Sequence, residues 1–435
     1  MNWGLQKFCW QVATLLLAVG ASLCGILPFE TAAGDIDRTS NVSVGTVVSS
    51  RGAVHTMAVQ ADGKIIVGGA FDHFNDRGSR NIARLNRDGT LDPSFAPPPG
   101  LSPEYVQTIA IQPDGRIILG GIFRTSQSRC GELHLLVRLN RDGTLDPSLC
   151  VTTTSPHSIV VAIALQPDGK ILIGGYLYIV NGQTRGGVTR LNSDGTLDPS
   201  FQGSVGPSVE GTLQQPDGKF VGAITLQPDG KILIGGTFQK VNEFSRNGIA
   251  RLNRDGTVDV SFLSRGSGVS SWVNAISVQR DGKIVIGGRF RTVNDIPRAL
   301  IARLNRDGTL DTTFAPVVVG GTNSEVKALL VQPDGRIVIG GALGTINAQR
   351  RDSLARVNSD GTLDAAFRAY ASHDELQVWP LALAAQPAGK IIIAGDSSTY
   401  RFDGASPRGN PQRLNSDGTP DTTFHTAGPR ISIPE

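Results

Sequence analysis

The chain has 435 residues, 53 of them glycine, and 18% of its side chains are charged. Its 41 basic and 38 acidic residues leave a formal net charge of +3, spread without a cluster. Abundant glycine and the lack of an Ala/Glu/Lys/Leu-rich block exclude a helical bundle, and without a basic stripe nucleic acid is not an expected partner.

In chain order, residues 1–33 read as an export signal. Lys7 gives a weakly positive start, and an uncharged apolar stretch runs from Val12 to Leu27. Pro28 and the small run Thr31-Ala32-Ala33-Gly34 follow, where an export peptidase is expected to cut. An uncleaved anchor is the alternative. Either way the remaining chain faces the outside of the cytoplasm, and no membrane span is expected in the mature chain. Leu23 before Cys24 argues against a lipid-modified cysteine, because such signals want a small residue there. Residues 34–53 form a short lead-in, and VSVGTVV at 42–48 is a candidate strand to complete the last blade of a closed ring.

The first repeat then begins. VHTMAVQ from Val54 alternates like a strand, and QADGK at Gln60 supplies a turn in which glycine accepts positive φ. KIIVGG from Lys64 is a continuous apolar run, as expected of a strand covered on both faces. After a polar loop, IARLN from Ile82 reads as a third strand. Asn86-Arg87-Asp88-Gly89 is the next hairpin turn, and TLDPSF from Thr90 is a short fourth strand.

The pattern returns throughout the chain. QPDGR stands at Gln112, QPDGK at Gln166 and Gln227, QRDGK at Gln279, QPDGR at Gln332 and QPAGK at Gln386. These glutamines are 52, 54, 61, 52, 53 and 54 residues apart. LNRDGTLDPSF from Leu85 keeps the same count, recurring from Leu139, Leu191, Leu252, Leu304, Val357 and Leu414. The single long interval contains a local duplication, LQQPDGK from Leu213. Seven antiparallel four-strand units predict an all-β fold, a seven-bladed β-propeller of four-stranded antiparallel blades over 54–435. Pro420 replaces Leu or Val in the last copy, which predicts a weak outer strand there.

The composite QPDGKIxxGGxF…R…IARLNxDGTLDxSF resembles the delta-60 repeat family of exported bacterial proteins, over about residues 54 to 424. The resemblance implies exported propeller architecture and brings no common catalytic residue set.

The sevenfold phrase itself reads as frame. As a calcium loop it would put Arg84 at the first ligand position and Phe95 at the twelfth, which an oxygen-liganded cation rejects. Arg84 and Asp92, eight residues apart across a hairpin, read instead as a cross-strand pair, repeated in every blade. A second arginine, at Arg80, Arg185, Arg246, Arg298, Arg351 and Arg408, is expected to reach a carbonyl or carboxylate of the adjacent blade. Cys130 and Cys150 either form one disulfide or are two small buried thiols. No metal or organic cofactor is expected.

Function is sought where the copies differ. Seven residues before each marker glutamine stand Ala53, Tyr105, Ile159, Phe220, Trp272, Glu325 and Trp379. If the first strand is innermost, these ring one mouth of the channel. Tyr105, Phe220, Trp272 and Trp379 are then candidates to stack on sugars, with Glu325 as a polar contact. The plainer reading is a hydrophobic collar packing blade against blade. The expected function is an exported monomeric binding module for a polysaccharide or a surface protein. The alternatives are a propeller lyase or glycan hydrolase, using acids and histidines such as His157, Glu325, His373, Asp374 and Glu375, or a structural envelope component.

Overall fold

The computed structural model describes residues 49–432, apart from 76, 99–100, 126–132, 207–219, 265, 352, 370–379, 396–409 and 427–428. The signal-like segment, the 42–48 strand candidate and the 213–219 duplication lie outside the described residues.

Each repeat folds as a blade whose strands lie side by side in sequence order. In blade 1 these are Ala53–Val59, Ile65–Ala70 and Ile82–Leu85, all antiparallel. The middle strand is apolar throughout because neighbouring blades cover both its faces, and Ile65, Ile66 and Val67 are wholly buried. The core therefore lies between blades. Ile66 of blade 1 packs with Val106, Ile117 and Leu119 of blade 2. Val54 and Ile65 of blade 1 pack with Ile392 and Ala394 of blade 7. First strands touch first strands around the complete circuit, so seven blades enclose a channel.

The fourth segment differs from expectation. Among the described residues, only blade 2 has a full outer strand, Leu145–Thr152. In the other six blades a single bridge, such as Leu85↔Leu91 or Leu252↔Val258, replaces it. Asp92 Oδ1 accepts Ser94 N at 3.0 Å and Ser94 Oγ at 2.7 Å, which curls the chain off the sheet edge. Asp146 makes the same bonds to Ser148 in blade 2, where the chain returns to the edge at Val151 and the strand resumes. Pro420 makes the same bridge to Leu414 as its leucine and valine counterparts do elsewhere, so the last blade has no special weakness at that point.

The curl builds the interaction that holds the ring. Arg84 Nε donates to Asp92 Oδ2 at 2.7 Å, and Lys64 Nζ of the first turn donates to the same oxygen at 2.7 Å. The guanidinium lies 4.8 Å from the Phe95 ring centroid. Its Nη1 reaches out of the blade to the carbonyl of Arg141, in the Asn-x-Asp-Gly turn of blade 2. Every blade repeats the Arg–Asp pair and the bond to the next blade, and all but blade 2, which has Leu149 at that position, repeat the phenylalanine. Arg138 donates to Ser193 O at 2.9 Å, Arg251 to Arg306 O, and Arg413 of the last blade to Arg87 O of the first. The expected Arg–Asp pair is thus also the bond between blades. At three of the second arginines the bond is local instead: Arg185, Arg246 and Arg298 each donate to the carbonyl of the residue just before them; Arg408 lies outside the described residues.

The first and last described strands meet at blade 1. Pro429–Ser432 pairs on one side with Ser49–Arg51 and on the other with His73–Phe74, part of a small hairpin in the blade 1 loop. Val318–Val319 makes the equivalent pairing with the loop hairpin of blade 6 at Thr345–Ile346. The C-terminal strand therefore occupies the place of a blade-to-blade connection, and the circle is bridged by backbone pairing as well as by Arg413. Among the described residues no helix is long and apolar enough to cross a membrane.

Burial alone would raise the Asp92 carboxyl, yet hydrogen bonds from Lys64, Ser94 and Arg84 hold it well below the usual carboxylate range. The same balance governs Asp146, Asp198, Asp259, Asp311 and Asp421. Arg251→Met strands the carboxylate of Asp259 and is expected to cost about 3 kcal/mol in denaturant unfolding. These carboxylates bind protons more weakly folded than unfolded. Their contribution is therefore complete above the unfolded value of about 3.9 and declines as pH falls below it. Melting temperatures measured from pH 6 downward should hold to about pH 4 and then drop steeply, where a flat profile would contradict the buried network.

Candidate functional site

The two ends of the propeller are chemically unequal. One end carries the Gln-Asp-Gly and Asn-Asp-Gly turns, repeated almost without change. The other carries the starts of the first strands and the variable loops between second and third strands. Those loops are not loose: five of them turn on an asparagine at positive φ, at Asn75 (48°), Asn181 (49°), Asn242 (49°), Asn294 (48°) and Asn347 (48°). Asn181 Oδ1 accepts Thr152 N of blade 2 at 2.8 Å and its Nδ2 donates to Gly195 O at 2.9 Å, so the loop tip folds back along the outer edge of its own blade to the Asn-Ser-Asp-Gly turn.

At this end the paired glycines act on the first strand. Every first strand carries a bulge, at His55, Gln107, Val161, Gly222, Asn274, Lys327 and Leu381. A Cβ on the second glycine would collide with the strand-one carbonyl just before the bulge: 2.0 Å from Ala53 O at Gly69, 1.9 Å from Trp272 O at Gly288. A Cβ on the first glycine would meet the next blade, as at Gly68, 2.6 Å from Val106 Cγ1. The pair thus admits the bulge on one side and the neighbouring blade on the other.

The bulge residues and those following them line a central cavity of about 340 Å³. The first strand is therefore innermost, and the seven variable residues expected at the mouth sit two positions before the bulge ring. Ala53, Ile159, Phe220 and Glu325 are buried, while Tyr105 and Trp272 are half-buried. Phe220 packs on Tyr176 with centroids 4.6 Å apart. Tyr105 meets the His55 ring edge-on at 6.4 Å. The guanidinium of Arg289 lies 5.8 Å from the Trp272 ring centroid and donates to Thr322 O at 3.1 Å. Trp379, His373, Asp374 and Glu375 lie outside the described residues. The position is thus mainly a collar between blades, with aromatic surface at blades 2 and 5.

The polar centre is at blades 5 and 6. Lys327 Nζ is 2.9 Å from Glu325 Oε2, and both side chains are buried. Asn274 Nδ2 donates to Glu325 Oε2 at 3.3 Å and to Val326 O at 3.0 Å. Burial pushes the Glu325 carboxyl up and the Lys327 ammonium down, each opposed by its partner. Burial also lowers His55 to about 4, against a hydrogen bond with the Val106 backbone. Lys327, His55, Gln107 and Asn274 were not anticipated. Their signal was present as a second variable column, two residues after the first, but only the bulge turns that column into the channel.

Cys150 is disulfide-bonded; Cys130 lies outside the described residues. No group of three or more His, Cys, Asp or Glu that could hold a metal occurs among the described residues.

The family model described as "Domain of unknown function (DUF5122) beta-propeller" matches seven times, at residues 60–95, 112–149, 166–201, 227–262, 279–314, 332–367 and 386–424. No curated protein matches. The extracellular domain of BT4673 from B. thetaiotaomicron is 15% identical with a TM-score of 0.45, over 83% of this chain and 39% of that one. The chain thus spans about two fifths of that structure's length. Virginiamycin B lyase from Staphylococcus aureus is 15% identical with a TM-score of 0.49, over 79% of this chain and 92% of that one. PorZ, a surface component of the type-IX secretion system of Porphyromonas gingivalis, is 14% identical with a TM-score of 0.44, over 84% and 49%. Likenesses this distant leave activities and ligands with those proteins.

In a histidine-selective NMR titration, His55 is expected to stay neutral down to a midpoint of about 4. A midpoint at the ordinary imidazole value of about 6.5 would place the ring in bulk water instead.

Proposed function

Since this chain belongs to the DUF5122 beta-propeller family, we propose that it works outside the cytoplasm as a binding module whose ligand docks at the variable mouth of the channel. Its composite repeat also resembles the delta-60 repeats of exported proteins, and the export-like segment at 1–33 supports the same placement. A polysaccharide is the ligand class favoured. The observation that carries the reading is the loss of sevenfold symmetry at one end alone. There the frame presents Tyr105 on one side and Trp272 with Arg289 on the other, flanking an open polar channel.

Flat aromatic surface suits the apolar faces of sugar rings, and nearby amide and guanidinium groups suit their hydroxyls. The bond from Arg289 to Thr322 O of the next blade's lead-in helps to keep that surface preorganised, which limits the ordering cost of binding. Trp379, in the equivalent place on blade 7, and Phe220 on blade 4 extend the same ring of candidates, and Glu325 supplies its acid. The enzyme reading needs a second acid or a histidine beside Glu325. Among the described residues, Lys327 and Asn274 contact Glu325, an arrangement that suits polar recognition. Cys130 is the proposed partner of Cys150 and would anchor the blade 2 loop on the same end.

Glycan-array screening of the secreted chain, followed by calorimetry, tests the proposal. Trp272→Ala is expected to weaken the best glycan about tenfold with melting unchanged. Equal affinity in Trp272→Ala and Tyr105→Ala would remove the mouth as the site.

A further inference from the structure

Just after the paired glycines, two positions separated by one residue vary from blade to blade. Blade 1 has Ala70 and Asp72, blade 4 Thr237 and Gln239, blade 6 Ala342 and Gly344. Blade 5 alone among the seven copies has arginine at both, Arg289 and Arg291.

Both side chains are anchored on one turn, the lead-in to blade 6. Ser324 N donates to Gly321 O at 3.1 Å and closes that turn. Arg291 Nη2 donates to Gly321 O at 2.8 Å, and Arg289 Nη2 to Thr322 O at 3.1 Å and Asn323 Oδ1 at 3.4 Å. Trp272 stands opposite Arg289 at the end of the neighbouring strand. Its carbonyl accepts Arg289 N at 3.0 Å, and the guanidinium lies 5.8 Å from its ring centroid. One indole and two guanidiniums thus gather at one point of the mouth, Arg291 exposed and the other two half-buried.

The positive charge gathered there is not answered. All these partners are neutral, and among the described residues neither arginine forms an ion pair. Glu325 is near enough for Arg289 to act on it, but its carboxylate is already matched by Lys327 at 2.9 Å. Like charges fixed on one turn repel, and an anion beside them removes that repulsion. Each guanidinium uses only Nη2 in these bonds, so its other N–H groups are left to donate, and charge-assisted bonds to an acid group are the strong kind.

We propose that the glycan bound at the mouth is acidic, its anionic groups paired with Arg289 and Arg291 while a sugar ring packs against Trp272. This rests on the reading of the mouth as a glycan site and names the class of glycan. An acidic peptide would answer the charge but offers the indole no sugar face.

The full chain is titrated by calorimetry with oligogalacturonate, its neutral methyl ester, dextran sulfate, dextran and polyglutamate. At least one acidic glycan is expected to bind about tenfold tighter than its neutral counterpart, with the advantage shrinking as salt is raised. Tighter binding of oligogalacturonate assigns the arginines to carboxylates, and of dextran sulfate alone to sulfates. Arg291→Gln, at an exposed side chain, is expected to remove most of the advantage, and Arg291→Lys, which keeps the charge, to retain part of it. The proposal is overturned if the neutral forms bind as tightly as the acidic ones, which leaves the mouth a site for another class of glycan. It is overturned equally if Arg291→Gln and Arg289→Gln both bind as the unaltered chain does, or if polyglutamate matches the acidic glycans. Failure of every glycan, here and on the array, removes the mouth reading as well.

Discussion

The guanidinium between blades is the interaction on which the ring depends. A propeller blade has little reason to stay beside its neighbour except apolar contact, and apolar contact has no direction. The arginine of the third strand supplies direction. It is fixed inside its own blade by Asp259 or its counterparts and by the phenylalanine beneath it, and only then reaches the next blade's turn carbonyl. Because the receiving atom is a backbone carbonyl, the residue that carries it is free to be Arg or Ser, as at Arg306 and Ser359. The Lys or Arg after each first turn completes the charge balance at the shared carboxylate, as Lys231 does at Asp259. One motif thus explains four recurring residue types at once.

The paired glycines carry the second constraint, at the opposite end. They leave room for a bulge in the first strand and for the next blade's side chain, so the backbone at the channel is irregular in the same way in every blade. That uniform irregularity frees the bulge side chain from packing. Blade 7 has Ala394 where the other blades have the first glycine, and it faces Val54 across the junction of first and last blades. The frame therefore repeats its strain and varies only what the strain exposes.

How much of this was legible follows the same division. The seven-copy count, the antiparallel blade and the Arg84–Asp92 pair were readable because local turn chemistry and fixed spacing determine them. The outer strand differs because TLDPSF has strand-like composition, while Asp92 bonds to Ser94 close by in sequence and curls the chain off the edge; only in blade 2 does the chain return to the edge beyond the curl, at Val151. The second arginine was given a reach it does not use, since Arg246 finds a carbonyl one residue away. Of the mouth candidates, Tyr105 and Trp272 are half-buried at the start of the first strand, whereas Phe220 and Glu325 are buried there. Nothing in a single column of residues tells which side of a twisted strand faces a neighbour.

The amino-acid sequence alone determined the repeat, its period and the chemistry of its turns, since each is set by contacts within a few residues or within one hairpin. It also marked where the copies diverge. Only the closed ring decided what that divergence means. The bulge sets Lys327, His55 and Gln107 in the channel wall, although they come from blades 6, 1 and 2. They share a cavity because seven first strands are wrapped around one axis. That meeting depends on the angle and contact between blades, which the buried side chains set collectively and no single repeat encodes.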